Sequence, residues 1–255
     1  MPPSTGRFQP QHRDFQRKEF VPVQRALHDP SKPKLVVILE KCGLWLGRDG
    51  LVDAHEKAAS TQLANDSLAD IRPDIVHQCL LALCDSDLYH DGNLLIIMST
   101  VKGKTIRLSQ NMRPPRTFHR FKGLMESLLR EGQVVASSGE VLMKTLQGTV
   151  APLIPYEAEV IGLCNLNTAP VVGASALGKA FATSPTDPKL QGGERNTLGF
   201  LVVPCTEDVD LSGLDYVTKA VCLSEFPAGA QVLCARASDG LHMHLGKKRG
   251  GSKVE

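Results

Sequence analysis

Lys34-Leu35-Val36-Val37-Ile38-Leu39 is an unbroken apolar run rich in β-branched residues. A strand with one wet face alternates apolar and polar residues. A run without alternation suits a strand covered on both faces, as in a parallel sheet. Leu94-Leu95-Ile96-Ile97-Met98 and Gly199-Phe200-Leu201-Val202-Val203 have the same character. Helical patterns lie between these runs. Val76, Cys79, Leu80 and Leu83 form one stripe. Pro73 suits the first helical position, where its missing N–H is not needed, and Asp74 in the first turn favours the helix dipole. Thr117 to Arg130 is a second amphipathic helix, with Phe118, Phe121, Met125 and Leu128 facing one way and Thr117 placed to cap it. Apolar strands alternating with helices predict an α/β fold with a mainly parallel sheet.

Smaller elements fill in around this frame. Lys102-Gly103-Lys104 makes a hairpin-like link to a strand at Thr105 to Leu108. Val141 to Leu146, Glu159 to Cys164, Val171-Val172 and Tyr216 to Leu223 read as further strands. Phe226 to about Ala237 reads as a closing helix begun by Pro227. Gly47 to about Ala69 reads as loop plus a short helix, and Gly178 to Asn196 as a long polar loop. The 255 residues divide into a flexible basic arm at 1–33, one folded domain at 34–237 and a basic flexible tail at 238–255.

With 42% hydrophobic residues, the chain can build a core. No stretch approaches the ~18 apolar residues of a membrane span, and the start has no apolar run for a signal peptide. The expectation is a soluble, intracellular chain with no membrane partner. None of the seven cysteines forms a C-x-x-C pair, so they are expected as buried free thiols, with no metal site. His242 and His244 lie close together, but in the expected tail and without partner cysteines. A net charge of +2 does not by itself point to nucleic acid; the distribution of charge has to. No G-x-G-x-x-G, Walker loop or G-x-S-x-G occurs, which argues against a dinucleotide dehydrogenase, a P-loop NTPase and an α/β-hydrolase.

Three segments carry chemistry. In Asn111-Met112-Arg113-Pro114-Pro115-Arg116-Thr117-Phe118-His119-Arg120, three arginines sit at a helix start stiffened by two prolines. Guanidinium forks match phosphate oxygens, and a helix N-terminus adds free N–H groups and a positive dipole. The other reading of such a cluster is a solvated cationic face or ion pairs with acids from elsewhere. Arg72-Pro73-Asp74 is the second segment, where a carboxylate can aim an arginine at a ligand. Leu223-Ser224-Glu225-Phe226-Pro227-Ala228 is the third. It lies between a strand and a helix, where α/β sheets bind ligands.

Taken together, these segments resemble the Nep/Emg ribosomal small-subunit pseudouridine N(1)-methyltransferases of the SPOUT superfamily. Arg72-Pro73-Asp74-Ile75-Val76-His77-Gln78-Cys79-Leu80-Leu81 is similar to that family's R-P-D-I-T-H-Q-C-L-L signature. Arg113 to Met125 is similar to its R-x-P-R-T-F-x-R-F-x-G-L-M motif, and Leu223 to Ala228 to its L-S-N-Y-P-L loop. The resemblance runs from about Lys34 to Ala237. It implies a C-terminal trefoil knot, a homodimer, S-adenosyl-L-methionine as donor and small-subunit rRNA as substrate. Pre-ribosomal assembly factors are implied as partners, in the nucleolus. It implies RNA contacts from Arg72, Arg113, Arg116 and Arg120, with Asp74 holding Arg72. Arg72 and Asp74 are the candidate catalytic pair, and Asp74 is the carboxylate to test as a base. Donor contacts are implied at Leu163, Asn165, Val203, Asp208, Leu223, Ser224, Glu225, Phe226, Pro227 and Ala228.

One departure stands out. The family's glycine-rich loop after the cofactor strand aligns with Val202 to Asp208, which puts Val203 and Asp208 where glycines are expected. Valine resists positive φ and close backbone approach. An RNA-binding assembly factor of the small-subunit precursor, impaired in catalysis, is therefore the alternative to an active enzyme.

Overall fold

A computed structural model of the chain describes residues 35–55, 71–155, 158–165, 169–183 and 199–245. The expected arm at 1–33, most of the expected loop and short helix at 47–69, the part of the 178–196 loop after 183, and the last ten residues of the expected tail lie outside the described residues.

The decisive run forms β1 (Leu35–Cys42), which lies between β4 (Leu94–Thr100) and β9 (Gly199–Pro204), parallel to both. Leu35, Val37 and Leu39 enter one hydrophobic cluster, while Val36 and Ile38 enter the cluster on the opposite face. Burial on both faces is why the run does not alternate. The full sheet has the order β10-β8-β9-β1-β4-β5-β7-β6. Its outer members are β5 (Thr105–Leu108), β6 (Gln133–Val135), β7 (Val141–Leu146), β8 (Val160–Leu163) and β10 (Lys219–Val221). Five strands from β10 to β4 are parallel, and β5, β7 and β6 continue antiparallel. The sheet is thus mixed, with the parallel part carrying the inner strands. A two-stranded hairpin, β2 (Leu46–Gly47) and β3 (Gly50–Leu51), replaces loop at the start of the 47–69 segment.

Helix α1 (Pro73–Cys84) begins on Pro73 and buries Val76, Cys79, Leu80 and Leu83, as the stripe predicts. A one-turn α2 (Asp87–His90) follows, capped by the Ser86 hydroxyl. Helix α3 (Phe118–Glu131) buries Phe121, Met125, Leu128 and Leu129 and stops at Gly132, whose φ of 79° suits glycine. Thr117 occupies the N-cap but makes no side-chain capping bond, contrary to expectation.

Other expectations need correction. Residues 178–183 are helical, within α4 (Ala174–Thr183), rather than loop. Only Lys219–Val221 of the predicted 216–223 strand is a strand, because Tyr216 and Val217 belong to a turn packed on the second cluster. Val171 makes a single bridge to Cys222. The closing helix, α5 (Ala230–Leu245), starts three residues after Pro227 and runs past the expected boundary at 237. Ser238, Gly240, Leu241 and Leu245 are buried. They pack because α4 and α5 approach unusually closely: a Cβ on Gly240 would lie 2.3 Å from the Ala174 carbonyl oxygen, and one on Gly178 would lie 2.3 Å from that of Gly240. His242 Nε2 lies 3.0 Å from Asp91 and His244 Nε2 3.3 Å from Ser175, so both histidines tie the helix to its neighbours. All seven cysteines are free and buried. No helix among the described residues is long and apolar enough to cross a membrane.

Candidate functional site

Because β1, β8, β9 and β10 are parallel, their carboxyl ends share one edge of the sheet. The start of α1 meets that edge. Arg72, at the N-cap, donates from Nε to Asp74 Oδ1 at 2.8 Å and from Nη2 to Asp74 Oδ2 at 2.7 Å. Its Nη1 pairs with Glu207, in the loop that leaves β9. Proline explains the geometry: Pro73 fixes the backbone between the two residues, so the fork closes on a carboxylate two positions away. Burial pushes the Asp74 carboxyl up, but the bond and charge of Arg72 outweigh it and hold the group below its ordinary value. The same bond holds Arg72 above its own. A carboxylate with both oxygens occupied and lowered affinity for protons is a poor base near neutral pH. The arrangement supports an orienting role for Asp74. Asp53 and His55 place ligand atoms within 4.8 Å of Asp74 and of each other, but Asp74 is committed to Arg72, so we assign no metal there.

The second arginine segment, which leads into α3, packs against the middle and far end of α1. Its approach is fixed from below. Tyr89 Oη donates to the carbonyls of Ser109 and Met112 at 2.8 and 3.0 Å, and Pro114 is buried. Arg113 donates to the Gln110 and Met112 carbonyls and lies 5.1 Å above the Tyr89 ring. His77, in the middle of α1, has Nε2 at 2.7 Å from the Pro115 carbonyl oxygen and stacks on Phe121 with centroids 4.6 Å apart. Arg116 pairs with Asp85, the C-cap of α1. Arg120 and His119 are exposed in the first turn of α3. The structure therefore brings Arg113, Arg116 and Arg120 to one approach but sets Arg72 apart from them. Arg72 and Asp85 cap opposite ends of a 12-residue helix, and such a helix is roughly 18 Å long. The two arginine segments read from the sequence thus stand at two stations along α1.

Several of the residues expected from the sequence to hold a donor lie at the sheet edge. Leu163 ends β8, and the Asn165 side-chain oxygen accepts from the Ala228 backbone N at 3.2 Å. Leu223 and Ser224 are buried; the Ser224 hydroxyl accepts from Phe226 N, and Arg236 donates to the Leu223 carbonyl at 2.8 Å. Glu225, Phe226 and Pro227 are exposed.

The glycine question resolves differently from the sequence expectation. Val203 is inside β9, paired with Leu39, with its side chain in the core, so no glycine is needed there. Asp208 is exposed and has no positive φ. The left-handed residue is its neighbour Val209, at φ 48°. Lys41, at the end of β1, also has positive φ, 52°, and its Nζ donates to the Asp210 carbonyl at 2.9 Å and carboxylate at 3.2 Å. Bonds from Ser212 bring Asp210 down to about 2, with Lys41 adding to them. Buried Glu40 accepts from the Tyr216 hydroxyl, whose proton is held above the ordinary range by burial and then by that carboxylate. The Asn165–Ala228 bond joins the loop after β8 to the loop after β10 at this edge. Sequence reasoning missed Glu207, Asp85, His77 and Glu40. His77 had a signal in its place within the quoted R-P-D motif, and Glu207 in its place within the Val202 to Asp208 stretch.

Comparison with known proteins gives the same direction. The family model described as EMG1/NEP1 methyltransferase matches residues 37–241. Ribosomal RNA small subunit methyltransferase nep-1 of Caenorhabditis elegans is 30% identical over 216 residues, covering 83% of this chain and 87% of that protein. Ribosomal RNA small subunit methyltransferase mra1 of Schizosaccharomyces pombe is 26% identical over 229 residues, which are 86% of this chain and 60% of that one. The chain thus spans about three fifths of the fission-yeast protein's length. Among solved structures, Archaeoglobus fulgidus Nep1 bound to S-adenosylhomocysteine aligns with a TM-score of 0.61 at 18% identity, over 82% of this chain and 98% of that chain. That likeness shows the α/β fold with its mixed sheet.

Proposed function

The chain belongs to the EMG1/NEP1 methyltransferase family, and on that premise we propose that it methylates N1 of a pseudouridine in small-subunit rRNA, with S-adenosylmethionine as donor. The observation that carries this reading is Arg72. It is clamped by Asp74 and touches the loop leaving β9, so a cationic group of fixed direction stands at the edge where the donor loops meet. When bound, S-adenosylmethionine supplies the methyl carbon. Leu163, Asn165 and the Leu223–Ala228 segment are the residues to hold it. Arg72 holds RNA at this edge, and Arg113, Arg116 and Arg120 hold it further along. The target base leaves its stack, at a cost of a few kcal/mol. Transfer to N1 would break the sulfonium C–S bond of the donor and release the N1 proton to solvent water, because Asp74 is committed to Arg72; positioning supplies much of the rate.

We also infer a trefoil knot, a homodimer and a nucleolar place of work beside pre-ribosomal assembly factors. The knot is supported by the strand order: the chain passes from β9 across β8 to β10, and α5 then returns to pack on α1 and α4. The dimer is supported by Val171, Phe226 and Val232, apolar side chains left exposed around the donor edge, Phe226 at 73%.

A second reading, an assembly factor impaired in catalysis, is favoured by the carboxylates of Glu207 and Asp208 at the donor edge. Calorimetry with S-adenosylmethionine separates the two. The enzyme reading expects saturable binding, and mass spectrometry of rRNA from depleted cells should then show loss of one methyl group. No donor binding at millimolar concentration removes the enzyme reading while leaving RNA binding intact.

A further inference from the structure

We propose that Glu207 is a placeholder for an RNA phosphate: its carboxylate holds the Arg72 guanidinium in the free protein, and RNA binding at Arg72 displaces it and releases the loop that leaves β9. This inference rests on the reading of the edge as an RNA site.

The two acids on Arg72 are unlike partners. Asp74 comes from two residues away, takes two of the guanidinium's N–H groups and is mostly covered. Glu207 comes from 135 positions away and reaches with its tip only. Its side chain is 66% exposed, whereas that of Arg72 is 14% exposed. A carboxylate oxygen and a phosphate oxygen make the same contact with a guanidinium N–H. Nη1 is therefore a part of Arg72 that a nucleic acid can claim without undoing the clamp that aims it.

The loop is built as something held. Val209 is a β-branched residue in the left-handed region, where such residues are rarely found. The loop is tied at one end by Arg72–Glu207 and at the other by Lys41–Asp210, and Lys41 is itself at positive φ. Strained backbone of this kind persists only where surrounding contacts impose it. Glu207, Asp208 and Asp210 also put three carboxylates on an edge meant for a polyanion. Left in place, Glu207 repels the substrate; moved aside, it lets Arg72 read a phosphate. Since the same loop borders the donor site, occupancy at Arg72 is felt there.

The test uses the full chain and a short single-stranded RNA, with affinity followed by fluorescence anisotropy. Glu207→Gln and Glu207→Asp, the second too short to reach, should each tighten binding about two- to fivefold, the range that an exposed ion pair corresponds to. In an Arg72→Ala background the gain of Glu207→Asp should vanish and that of Glu207→Gln should shrink to the gain of Asp208→Asn, because the competition has lost its object. Asp208→Asn is the control for charge alone, and its smaller gain should survive Arg72→Ala. If Arg72→Ala weakens binding but the Glu207 variants do not tighten it, the placeholder is overturned and the RNA site stands. The placeholder is equally overturned if the gain of Glu207→Asp persists without Arg72. If Arg72→Ala itself leaves affinity unchanged, the RNA assignment of Arg72 falls, and the placeholder with it.

Discussion

Helix α1 seats an arginine against a carboxylate at each end, and the two seats differ in how much freedom they leave. At its start, Arg72 is 14% exposed and gripped through two hydrogen bonds by Asp74. At its end, Arg116 is 71% exposed and reaches Asp85 through a single contact. The first seat fixes direction before any ligand arrives. The second leaves an arm that can be repositioned by whatever it meets. Preorganised charge serves a reacting base, which tolerates little misplacement, whereas a mobile arm serves to collect backbone.

The sharpest way to break this contrast is to remove the acids. Asp74→Ala strands a mostly buried guanidinium and should cost about 2–3 kcal/mol in denaturant unfolding. Asp85→Ala, whose partner is exposed, should cost much less. Equal losses would mean that the seats are equivalent. His77→Ala comes next. It removes the stack on Phe121 and the contact with Pro115, should cost about 1–2 kcal/mol, and should weaken RNA binding through Arg116 without altering donor binding. If donor affinity falls as well, the stations are not separate. Arg116→Ala and Arg120→Ala should each lower the slope of log affinity against log salt by roughly 0.7–0.9, and an unchanged slope would take them off the phosphate backbone.

The smallest effect is in acid. Asp74 has a folded value below its ordinary 3.8. Its contribution is therefore fully present above that value and is lost as pH falls through the lowered one. Wild type should lose stability relative to Asp74→Ala in that window, as urea midpoints would show. Parallel acid limbs would mean that the clamp contributes nothing.

Much of this was legible because it is local. The 34–39 run announces a strand covered on both faces, Pro73 and its stripe announce α1, and Arg72 and Asp74 stand two residues apart. What was not legible is long-range. Glu207 is distant from Arg72 and Asp85 from Arg116, so neither pair leaves a spacing to read. Gly178 and Gly240 read as loop and tail because glycine usually breaks helices. Here they are the price of letting α4 and α5 touch backbone to backbone. Tyr216 to Leu223 has a strand-like composition, but most of it is spent on packing against the second cluster and on the bond from Tyr216 to Glu40. The left-handed turn falls at Val209, and nothing in the letters Asp208-Val209-Asp210 says which one turns left-handed.

The buried thiols give the chain a built-in clock. Every one of its seven cysteines is sealed in the folded form, so a maleimide reagent meets none of them until some part of the structure opens. Cys79 on α1, Cys205 beyond β9 and Cys234 on α5 neighbour one another in a single layer of the core, so they would take up label together when the helices part from the sheet. The rate of that labelling would date the breathing of this layer, with no probe attached.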